Sequence, residues 1–542
     1  MAVLCIAGGG MKAITWLIAI FVALIRDTEH DDIKNGHNVL RFVTVLSTVS
    51  AGSWFVMSLL YSDVFMNLLG DMARVRGDSE AKEIFMQRWI LPLRAVLKQR
   101  STDAGLERIS HRHRFLLATM KHTMGPDVAH LATALSGDIT WSQMLLAAIH
   151  SSAPMVCPAA PPTPLKRTRW LVNSTLHLPS QSEDTRLTDR CSYRGQRVTP
   201  TYPCCRAPFT ACVGIDASCL YECVEAGPLG PYEGVTYFED GCPVATGSLA
   251  ALGKGRGLVA WDDLRFVQRL VAASCHLTPI AESLPDALRG PWSANANNLR
   301  LLVSPSTLAI AGVSSPGSKR KRKRPTKPTT TFRQALREPA VYFESNPVLV
   351  SDGKFSDNSG VGAALRVSRG ARAVLLTFGD DSTIRGLFAE PLPVFDRLPD
   401  RIESFLAGDQ PEGNVEAAGV TCQRTIYAGF GDTGLDRYGR STPPGSAQDI
   451  LGRIERLRFG GLRTSNAHDW FGDRDRQRTV DLTVFRFQSK VEVWGRVADK
   501  TNLNMSGNLD DFGWIMERGL GFVSHCAILR RDLVEALGFG DH

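Results

Sequence analysis

The apolar residues at the start of the chain fall into two strand-like runs, each followed by a helix-like run. Residues 3–7 (VLCIA) and 43–49 (VTVLSTV) are short and apolar, as buried strands are. Between them, residues 11–25 form a continuous apolar stretch of helical length. A strand, a helix, a second strand and a second helix in this order predict a parallel sheet with right-handed crossovers over residues 1 to about 62.

The following part of the chain combines helical segments with loop-rich ones. Residues 63–150 carry apolar residues at helical spacing and predict a helical cap, in which Pro92 kinks or splits one helix. Residues 169–175 indicate a strand inside a loop-rich insertion, residues 154–231, that is rich in Pro, Thr and Cys. Residues 314–331 are polar and basic and predict a disordered insertion.

From residue 264 onward the alternation of helices and strands resumes. The predicted elements are a helix at 264–274 that stops before Pro279, a helix at 358–367, strands at 371–378, 480–487 and 491–494, and a helix at 528–537. We therefore expect an α/β protein in which one large domain, residues 1–542, contains the cap and the two insertions.

Small residues mark both of the first strand-to-helix turns. The first strand leads directly into Gly8, Gly9 and Gly10, and the second ends at Ser50 within STVSAG, residues 47–52. A serine at the apex of a sharp strand-to-helix turn is a nucleophile elbow, which exposes its hydroxyl above the sheet. Backbone N–H groups of a glycine loop at a helix N-terminus bind a developing oxyanion. Taken alone, the glycines also fit a tight turn and the serine also fits a helix N-cap.

Three separated motifs resemble those of the patatin and cytosolic phospholipase A family. They are GGGMKA at residues 8–13, STVSAGSW at 47–54 and VLVSDGKFSDNSGV at 348–361, and they occur in the family's order. The resemblance implies a patatin-like three-layer fold with a central, mainly parallel sheet. It also implies a lipid acyl hydrolase, a phospholipase or lysophospholipase, that uses a Ser–Asp dyad and needs no metal or cofactor.

The same resemblance implies a role for each motif residue. Ser50 would be the nucleophile and Asp352 its base. The glycine loop, Gly8, Gly9 and Gly10, would form the oxyanion hole, and Lys12 would face a phosphate of the substrate.

Three positions depart from the family's pattern. Thr48 is β-branched where the tight turn favours a small residue, Lys12 replaces the more frequent arginine, and Lys354 follows Gly353 in place of glycine or alanine. None of these changes removes a catalytic group. They leave open a second interpretation, in which the chain is a catalytically inactive patatin-fold protein that binds lipid or acts as a scaffold.

A serine hydroxyl is a weak nucleophile and needs a positioned base. Asp352 follows the apolar residues 348–350, which indicates partial burial, and desolvation would raise its pKa towards neutral pH. The alternative reading of Asp352 is a simple Asp-Gly turn. Asp240, which also precedes a glycine, is a weaker candidate because the D-N continuation and the following helix are missing.

Two other kinds of site fit the sequence less well. A Ser-Asp-His triad with His468 or His525 is conceivable, but the glycine loop lies on the first strand and the elbow comes early, unlike the usual α/β-hydrolase order. A nucleotide-binding loop would need G-x-G-x-x-G spacing, or a lysine followed by Ser or Thr, and GGGMKA has neither.

The charge is concentrated in one segment. The net charge is +7, and seven positive residues lie between Lys319 and Lys327, so that 55 basic and 55 acidic residues remain elsewhere. This balance excludes a nucleic-acid-binding surface outside that segment. The run from Lys319 to Arg324 predicts a nuclear-localisation signal or an anionic-lipid patch, or simply a solvated loop.

The apolar run at 11–25 is shorter than a membrane span, and no basic region precedes its strand. We therefore expect a cytoplasmic protein that acts at membrane surfaces on a lipid substrate. The basic run from Lys319 to Arg324 could also direct it to the nucleus. The sequence does not indicate an oligomeric state.

Seven of the twelve cysteines lie in the loop-rich insertion: Cys157, Cys191, Cys204, Cys205, Cys212, Cys219 and Cys223. Their spacing lacks the C-x2-C pairs and interleaved histidines of a zinc site. We therefore expect reduced cysteines without a bound metal.

Overall fold

The computed structural model describes most of the predicted sheet and its flanking helices. The described residues are 2–26, 33–93, 155, 160–179, 204–213, 215, 222–223, 232–239, 242–248, 264–275, 299–303, 349–368, 372–379, 382–389, 393–408, 413–428, 451–465, 477–489 and 509–539.

Fourteen strands lie in the described residues, and eleven of them form one sheet. In chain order the strands are β1 (Ala2–Ile6), β2 (Val43–Val49), β3 (Arg169–Pro179), β4 (Cys204–Val213), β5 (Glu222–Cys223), β6 (Tyr232–Glu239), β7 (Cys242–Ser248), β8 (Leu299–Val303), β9 (Leu349–Asp352), β10 (Arg372–Thr377), β11 (Gly413–Ala417), β12 (Val420–Ala428), β13 (Leu451–Arg463) and β14 (Thr479–Ser489).

The centre of the large sheet is parallel and its flanks are antiparallel. The order is β11-β12-β13-β14-β10-β1-β2-β3-β4-β5, and β14, β10, β1, β2 and β3 run in one direction. The outer strands on both sides pair antiparallel. Strands β6, β7 and β8 form a separate antiparallel sheet.

Helices cover both faces of the large sheet. They are α1 (Gly10–Ile25), α2 (Gly36–Val39), α3 (Ala51–Tyr61), α4 (Asp63–Arg74), α5 (Asp78–Phe85), α6 (Leu264–Ser274), α7 (Val361–Ser368), α8 (Ser382–Gly386), α9 (Asp400–Ala407), α10 (Leu509–His525) and α11 (Ala527–Ala536).

Strand β1 shows why the molecule has three layers. Its side chains alternate, so that Leu4 and Ile6 face the core beneath α1, α3 and α10, whereas Val3 and Cys5 face the core beneath α7, α8 and α9. Because both faces of the sheet are covered here, side chains on both sides of β1 have to be apolar. This explains the continuous apolar run in the sequence of β1. The α/β class and the parallel centre of the sheet that the sequence predicted are confirmed.

Helix α1 is buried on nearly every side, which explains its continuous apolar sequence. Trp16 packs against Phe487 of β14 with ring centroids 5.2 Å apart, and Gly519 of α10 lies against the same indole. A Cβ at Gly519 would lie 2.9 Å from the Trp16 ring, so a larger residue would push the two helices apart. Within the ranges given above, no helix is both long and apolar enough to cross a membrane.

Several predicted elements differ from the observed ones. The first part of the predicted cap, α4 and α5, packs on α1 and α10 in the helix layer of the sheet. Part of the insertion that we expected to be loop-rich forms β4, which pairs with β3 over ten positions. The predicted helix at 358–367 begins at Val361, and α10 was not predicted. The rest of the cap, the basic insertion and the strand at 491–494 lie outside the described residues.

Candidate active site

Strands β2 and β9 meet end to end along the same neighbour, β3. Strand β2 runs parallel to β3 as far as the pair Val49–Asn173, and β9 runs antiparallel to it as far as the pair Asp352–Ser174. Since Asn173 and Ser174 are consecutive, the two strands end one register position apart. This junction brings Ser50, the residue after β2, beside the last residue of β9.

The two side chains form a direct hydrogen bond. The Ser50 hydroxyl donates to Asp352 Oδ2 at 2.8 Å, although the residues are 302 positions apart in the chain. Both residues are buried, with 6% and 2% of their surface exposed. The proximity that the sequence predicted is therefore present.

The backbone of Ser50 is in an unusual conformation. Its φ of 52° and ψ of −124° fall in a region that costs a non-glycine residue about 1–3 kcal/mol. Ser50 occupies the N-cap position of α3, but its side chain makes no capping hydrogen bond. The hydroxyl is thereby left to point at the carboxylate, as in a nucleophile elbow.

Asp352 is both a turn residue and the partner of the serine. Its Oδ1 accepts the backbone N–H of Lys354 at 3.0 Å, which caps the short turn that follows, while Oδ2 faces Ser50. Burial raises the pKa of Asp352 to about 6, against the opposing effects of the Lys354 charge and of the hydrogen bonds from Lys354 and Ser50. The carboxylate is therefore largely ionised at pH 7, and its pKa is close to the value that suits a general base.

The glycine loop lies directly against the serine. A Cβ at Gly8 would lie 3.0 Å from Ser50 Cβ and 3.6 Å from Ser50 Oγ, so only glycine fits there. Gly10 begins α1 with a φ of 65°, and Lys12 follows in the first turn of that helix. The structure thus brings Gly8 to the dyad and places Gly9, Gly10 and Lys12 next along the chain, at a helix N-terminus.

Asn173 of β3 ties the junction together. Its Nδ2 donates to Ser47 Oγ at 2.8 Å and to the Thr48 carbonyl at 3.0 Å, and its Oδ1 accepts the Thr210 hydroxyl at 2.8 Å. The Asn173 carbonyl lies 2.8 Å from where a Cβ of Gly353 would be. One residue of β3 therefore contacts both the strand that carries the nucleophile and the turn that carries the base.

Ser274, the last residue of helix α6, and Cys275 after it also contact the elbow; the sequence predicted this helix and its end but no contact with Ser50. The Ser274 hydroxyl accepts the backbone N–H of Ser50 at 2.9 Å and donates to the Asn173 carbonyl at 2.6 Å. The next residue, Cys275, interacts with the Ser50 side chain, and burial, followed by the charge of Asp352, raises the pKa of its thiol well above the usual range. The thiol therefore stays protonated and does not compete with Ser50 as a nucleophile.

Thr48, the unusual residue of the elbow, has specific partners. Its hydroxyl accepts the Trp170 indole N–H at 2.9 Å, donates to the Leu171 carbonyl at 3.1 Å and lies 2.9 Å from Ser53 Oγ. Because its single proton goes to Leu171, Ser53 is the donor in the third bond. Valine would fill the same volume without any of these bonds, and a smaller residue without a hydroxyl would leave the indole N–H unpaired.

Among the rival residues, the structure describes only His525, which lies away from the dyad in its own helix. His525 is exposed, and its ring bonds to the Gly521 carbonyl of its own helix. Asp240, His468 and most of the cysteine-rich insertion lie outside the described residues. Within the described part of the chain, no cluster of three or more His, Cys, Asp or Glu side chains could hold a metal ion.

Comparisons with known proteins found a distant structural similarity. No family model matches the chain, and no curated protein matches it significantly. The chain is similar in structure to human GIVD cytosolic phospholipase A2, with a TM-score of 0.38 and 13% sequence identity. The similarity covers 99% of this chain and 60% of the human protein. A likeness this distant does not decide function, which has to be inferred from the site residues themselves.

Proposed function

We propose that this chain hydrolyses acyl esters of lipids, as a phospholipase or lysophospholipase, with Ser50 as nucleophile and Asp352 as its base. The observation that carries the proposal is the 2.8 Å hydrogen bond between the two side chains at a buried, strained elbow. A serine whose hydroxyl donates to a carboxylate with a pKa of about 6 is poised to lose its proton. The proposal that the substrate is a lipid rests on the resemblance of the three sequence motifs to those of the patatin and cytosolic phospholipase A family.

The reaction follows from the positions of these groups. Ser50 Oγ bonds to the ester carbonyl carbon, the C=O π electrons move onto the oxygen, and the serine proton passes to Asp352. When the tetrahedral intermediate collapses, the C=O bond re-forms, the C–O bond to the leaving alcohol breaks, and the oxygen of that alcohol takes the proton from Asp352. Water then repeats both steps on the acyl-serine, which releases the fatty acid and regenerates Ser50.

The glycine loop would bind the oxyanion. Gly8 allows the acyl group to approach Ser50 without steric conflict, and the N–H groups of Gly9 and Gly10 would donate to the negative oxygen. Lys12, in the first turn of α1, would neutralise a phosphate of the substrate. The basic segment around Lys319–Lys327 would direct the protein to anionic membrane surfaces or to the nucleus.

The alternative proposal is that the chain keeps the fold and binds lipid without turning it over. Fatty-acid release by purified protein, measured on a panel of phospholipids, lysophospholipids and neutral lipids, separates the two. We expect release by the wild type and loss of release in Ser50→Ala, with labelling by a serine-reactive fluorophosphonate lost in parallel.

Ser58→Ala is the matched control for this experiment. Ser58 is another buried serine of α3, and its hydroxyl has no hydrogen-bond partner among the described residues. It should keep both activity and labelling. If the wild type and Ser50→Ala are equally inert on the whole panel, the scaffold alternative holds.

A further inference from the structure

One polar side chain next to the dyad has no role in the proposed mechanism. Asn358 lies in the turn between Asp352 and α7, and its Nδ2 donates to Thr383 Oγ1 of α8 at 2.7 Å. Its Oδ1 is buried and has no hydrogen-bond partner among the described residues. An unpaired buried polar atom costs about 1–3 kcal/mol, so a stable protein rarely keeps one without a reason.

The unpaired end of the amide faces the oxyanion loop and the nucleophile. The position that a Gly8 Cβ would occupy lies 2.8 Å from Asn358 Oδ1 and 3.6 Å from Ser50 Oγ. The amide and the serine hydroxyl therefore converge on the same space over Gly8. The space beside Ser50 Oγ is where the carbonyl oxygen of a bound ester would develop its negative charge.

The chemistry of the reaction favours one orientation of this amide. An oxygen facing an oxyanion repels it, whereas an N–H donor in the same position stabilises it. The two ends of an amide have nearly the same shape, so the side chain turns by 180° within the same volume. After that turn Oδ1 accepts the Thr383 hydroxyl proton, and Nδ2 points at the space over Gly8.

We infer that Asn358 is a third oxyanion donor, in which the side-chain Nδ2–H supplements the backbone N–H groups of the glycine loop. This inference rests on the proposed hydrolase function. When Ser50 Oγ bonds to the carbonyl carbon and the π electron pair moves onto oxygen, Nδ2–H donates to that oxygen without transferring its proton. The bond is made in the transition state and is weak or absent in the bound ester, so Asn358 acts on kcat and leaves KM unchanged.

The test compares Asn358→Ala with Thr383→Val by steady-state kinetics on the best lipid of the panel. Both variants delete the Asn358–Thr383 hydrogen bond, but only the first deletes the donor. Loss of one oxyanion donor costs on the order of 100- to 1,000-fold in kcat. We expect that loss in Asn358→Ala with unchanged KM, and a loss of only a few-fold in Thr383→Val. Equal losses would show that Asn358 merely ties the turn to α8, and would overturn the inference.

Asn358→Asp provides a second test in case the alanine variant does not fold. The carboxylate still accepts the Thr383 hydroxyl proton, so the tie to α8 is kept while the donor is lost. We expect kcat to fall at least as far as in Asn358→Ala, with a melting temperature near that of the wild type. Wild-type kcat in Asn358→Asp would overturn the inference.

A transition-state analogue gives a second readout. A trifluoromethyl ketone lipid forms a hemiketal with Ser50, whose oxyanion needs the donor, whereas an amide analogue of the lipid binds without forming one. The ketone should bind Asn358→Ala more weakly by about the factor lost in kcat, and the amide should bind equally to both proteins. If the ketone binds the wild type and Asn358→Ala with equal affinity, the inferred role of Asn358 is wrong while the hydrolase proposal stands. An inert wild type that also fails to bind the ketone overturns the hydrolase proposal and this inference together.

Discussion

Two buried aspartates, one at the parallel centre of the large sheet and one beneath its antiparallel flank, show how surroundings decide what a carboxylate can do. Asp352, at the junction of β2, β3 and β9, accepts hydrogen bonds from a serine hydroxyl and a backbone N–H. Asp532 of α11 lies beneath the antiparallel flank and is held by Arg456 at 2.6 Å and by the Tyr427 hydroxyl. At the first carboxylate, burial outweighs the nearby Lys354 charge and raises the pKa to about 6, whereas the second carboxylate is fixed in an ion pair with Arg456.

The same contrast extends to the surroundings of each residue. At the junction the supporting groups are neutral: the hydroxyls of Ser47, Thr48, Thr210 and Ser274 and the amide of Asn173. In the antiparallel flank, Arg424 and Arg486 enclose the buried carboxylate of Glu455. Neutral hydrogen bonds hold the junction in place without lowering the pKa of the base, which an arginine would do.

The largest expected effect comes from exchanging each aspartate for asparagine. Asp352→Asn keeps the shape but cannot accept the serine proton, so turnover should fall about 100- to 10,000-fold without a loss of melting temperature. Asp532→Asn should keep kcat and instead lower the free energy of unfolding by about 3 kcal/mol, because Arg456 loses its buried partner. Kinetics and urea unfolding of both variants measure the contrast.

The dyad should also behave as one unit. Ser50→Ala, Asp352→Asn and the double variant should be similarly inactive, since each removes the same function. Asp240→Asn should keep most activity. If Asp240→Asn is inactive while Asp352→Asn still turns over, the base has been misassigned.

A methyl group at the oxyanion loop should cost nearly as much activity. In Gly8→Ala the new Cβ would lie 2.8 Å from Asn358 Oδ1 and 3.0 Å from Ser50 Cβ, so the loop or the elbow has to shift. A displacement of about 1 Å costs on the order of 100-fold in rate. Gly70→Ala is the control, because the nearest atom to its Cβ, at 3.9 Å, is the end of the Arg74 side chain. Unchanged kcat in Gly8→Ala would mean that the site lies elsewhere.

The pH dependence should report the raised pKa of Asp352. The ionised form is the active one, so kcat/KM should rise with pH, level off above about 6, and fall about tenfold per pH unit below it. Lys354→Gln removes a charge that lowers this pKa, so the acidic limb of the profile, where kcat/KM falls, should move to higher pH. Lys166→Gln, which removes an exposed charge before β3, should leave the limb in place.

The same pKa carries an opposite consequence for stability. A carboxyl whose pKa is raised from 3.8 to about 6 by folding binds its proton more tightly in the native state. Its contribution to stability is therefore present at low pH and is lost as pH rises through that interval. Asp352→Asn should remove this loss, and unfolding measured at pH 4 and pH 7 would reveal it.

A smaller effect is expected from the second layer of the elbow. Thr48→Val leaves the buried indole N–H of Trp170 without its acceptor, which should lower the free energy of unfolding by about 1–3 kcal/mol and kcat by a few-fold. Thr48→Ser keeps the hydroxyl and should restore most of both. If valine is harmless, the hydrogen bonds of Thr48 do not hold the elbow.

The smallest effect should follow deletion of residues 318–327. Hydrolysis of a soluble ester should be unchanged, because the segment is too polar to join the core, while binding to anionic vesicles or nuclear accumulation falls. A protein that no longer folds after this deletion would show that the segment is a structural element.

The dyad residues could be found from the sequence because each sits in a short local motif. Their support could not, because Trp170 lies 122 positions from Thr48 and Ser274 lies 224 positions from Ser50. The end-to-end meeting of β2 and β9 is likewise set by pairing with β3, which no local pattern reports.

Two elements were missed for reasons that are visible in their composition. Helix α10 contains Gly513, Gly519 and Gly521, which lower helix propensity, yet Gly519 is what allows α10 to pack against Trp16. Strand β4 contains cysteines and a proline, and it forms because β3 offers it a partner along its length. In both cases tertiary contacts outweigh local preference.

The backbone conformation of Ser50 also bears on how the chain would evolve. Glycine adopts a positive φ without strain, so Ser50→Gly should stabilise the native state by up to about 1–3 kcal/mol while abolishing the nucleophile. In a laboratory lineage selected only for correct folding, glycine at this position should therefore spread. In a lineage selected for ester hydrolysis, the serine should persist, so the fate of this one codon distinguishes selection for a scaffold from selection for an enzyme.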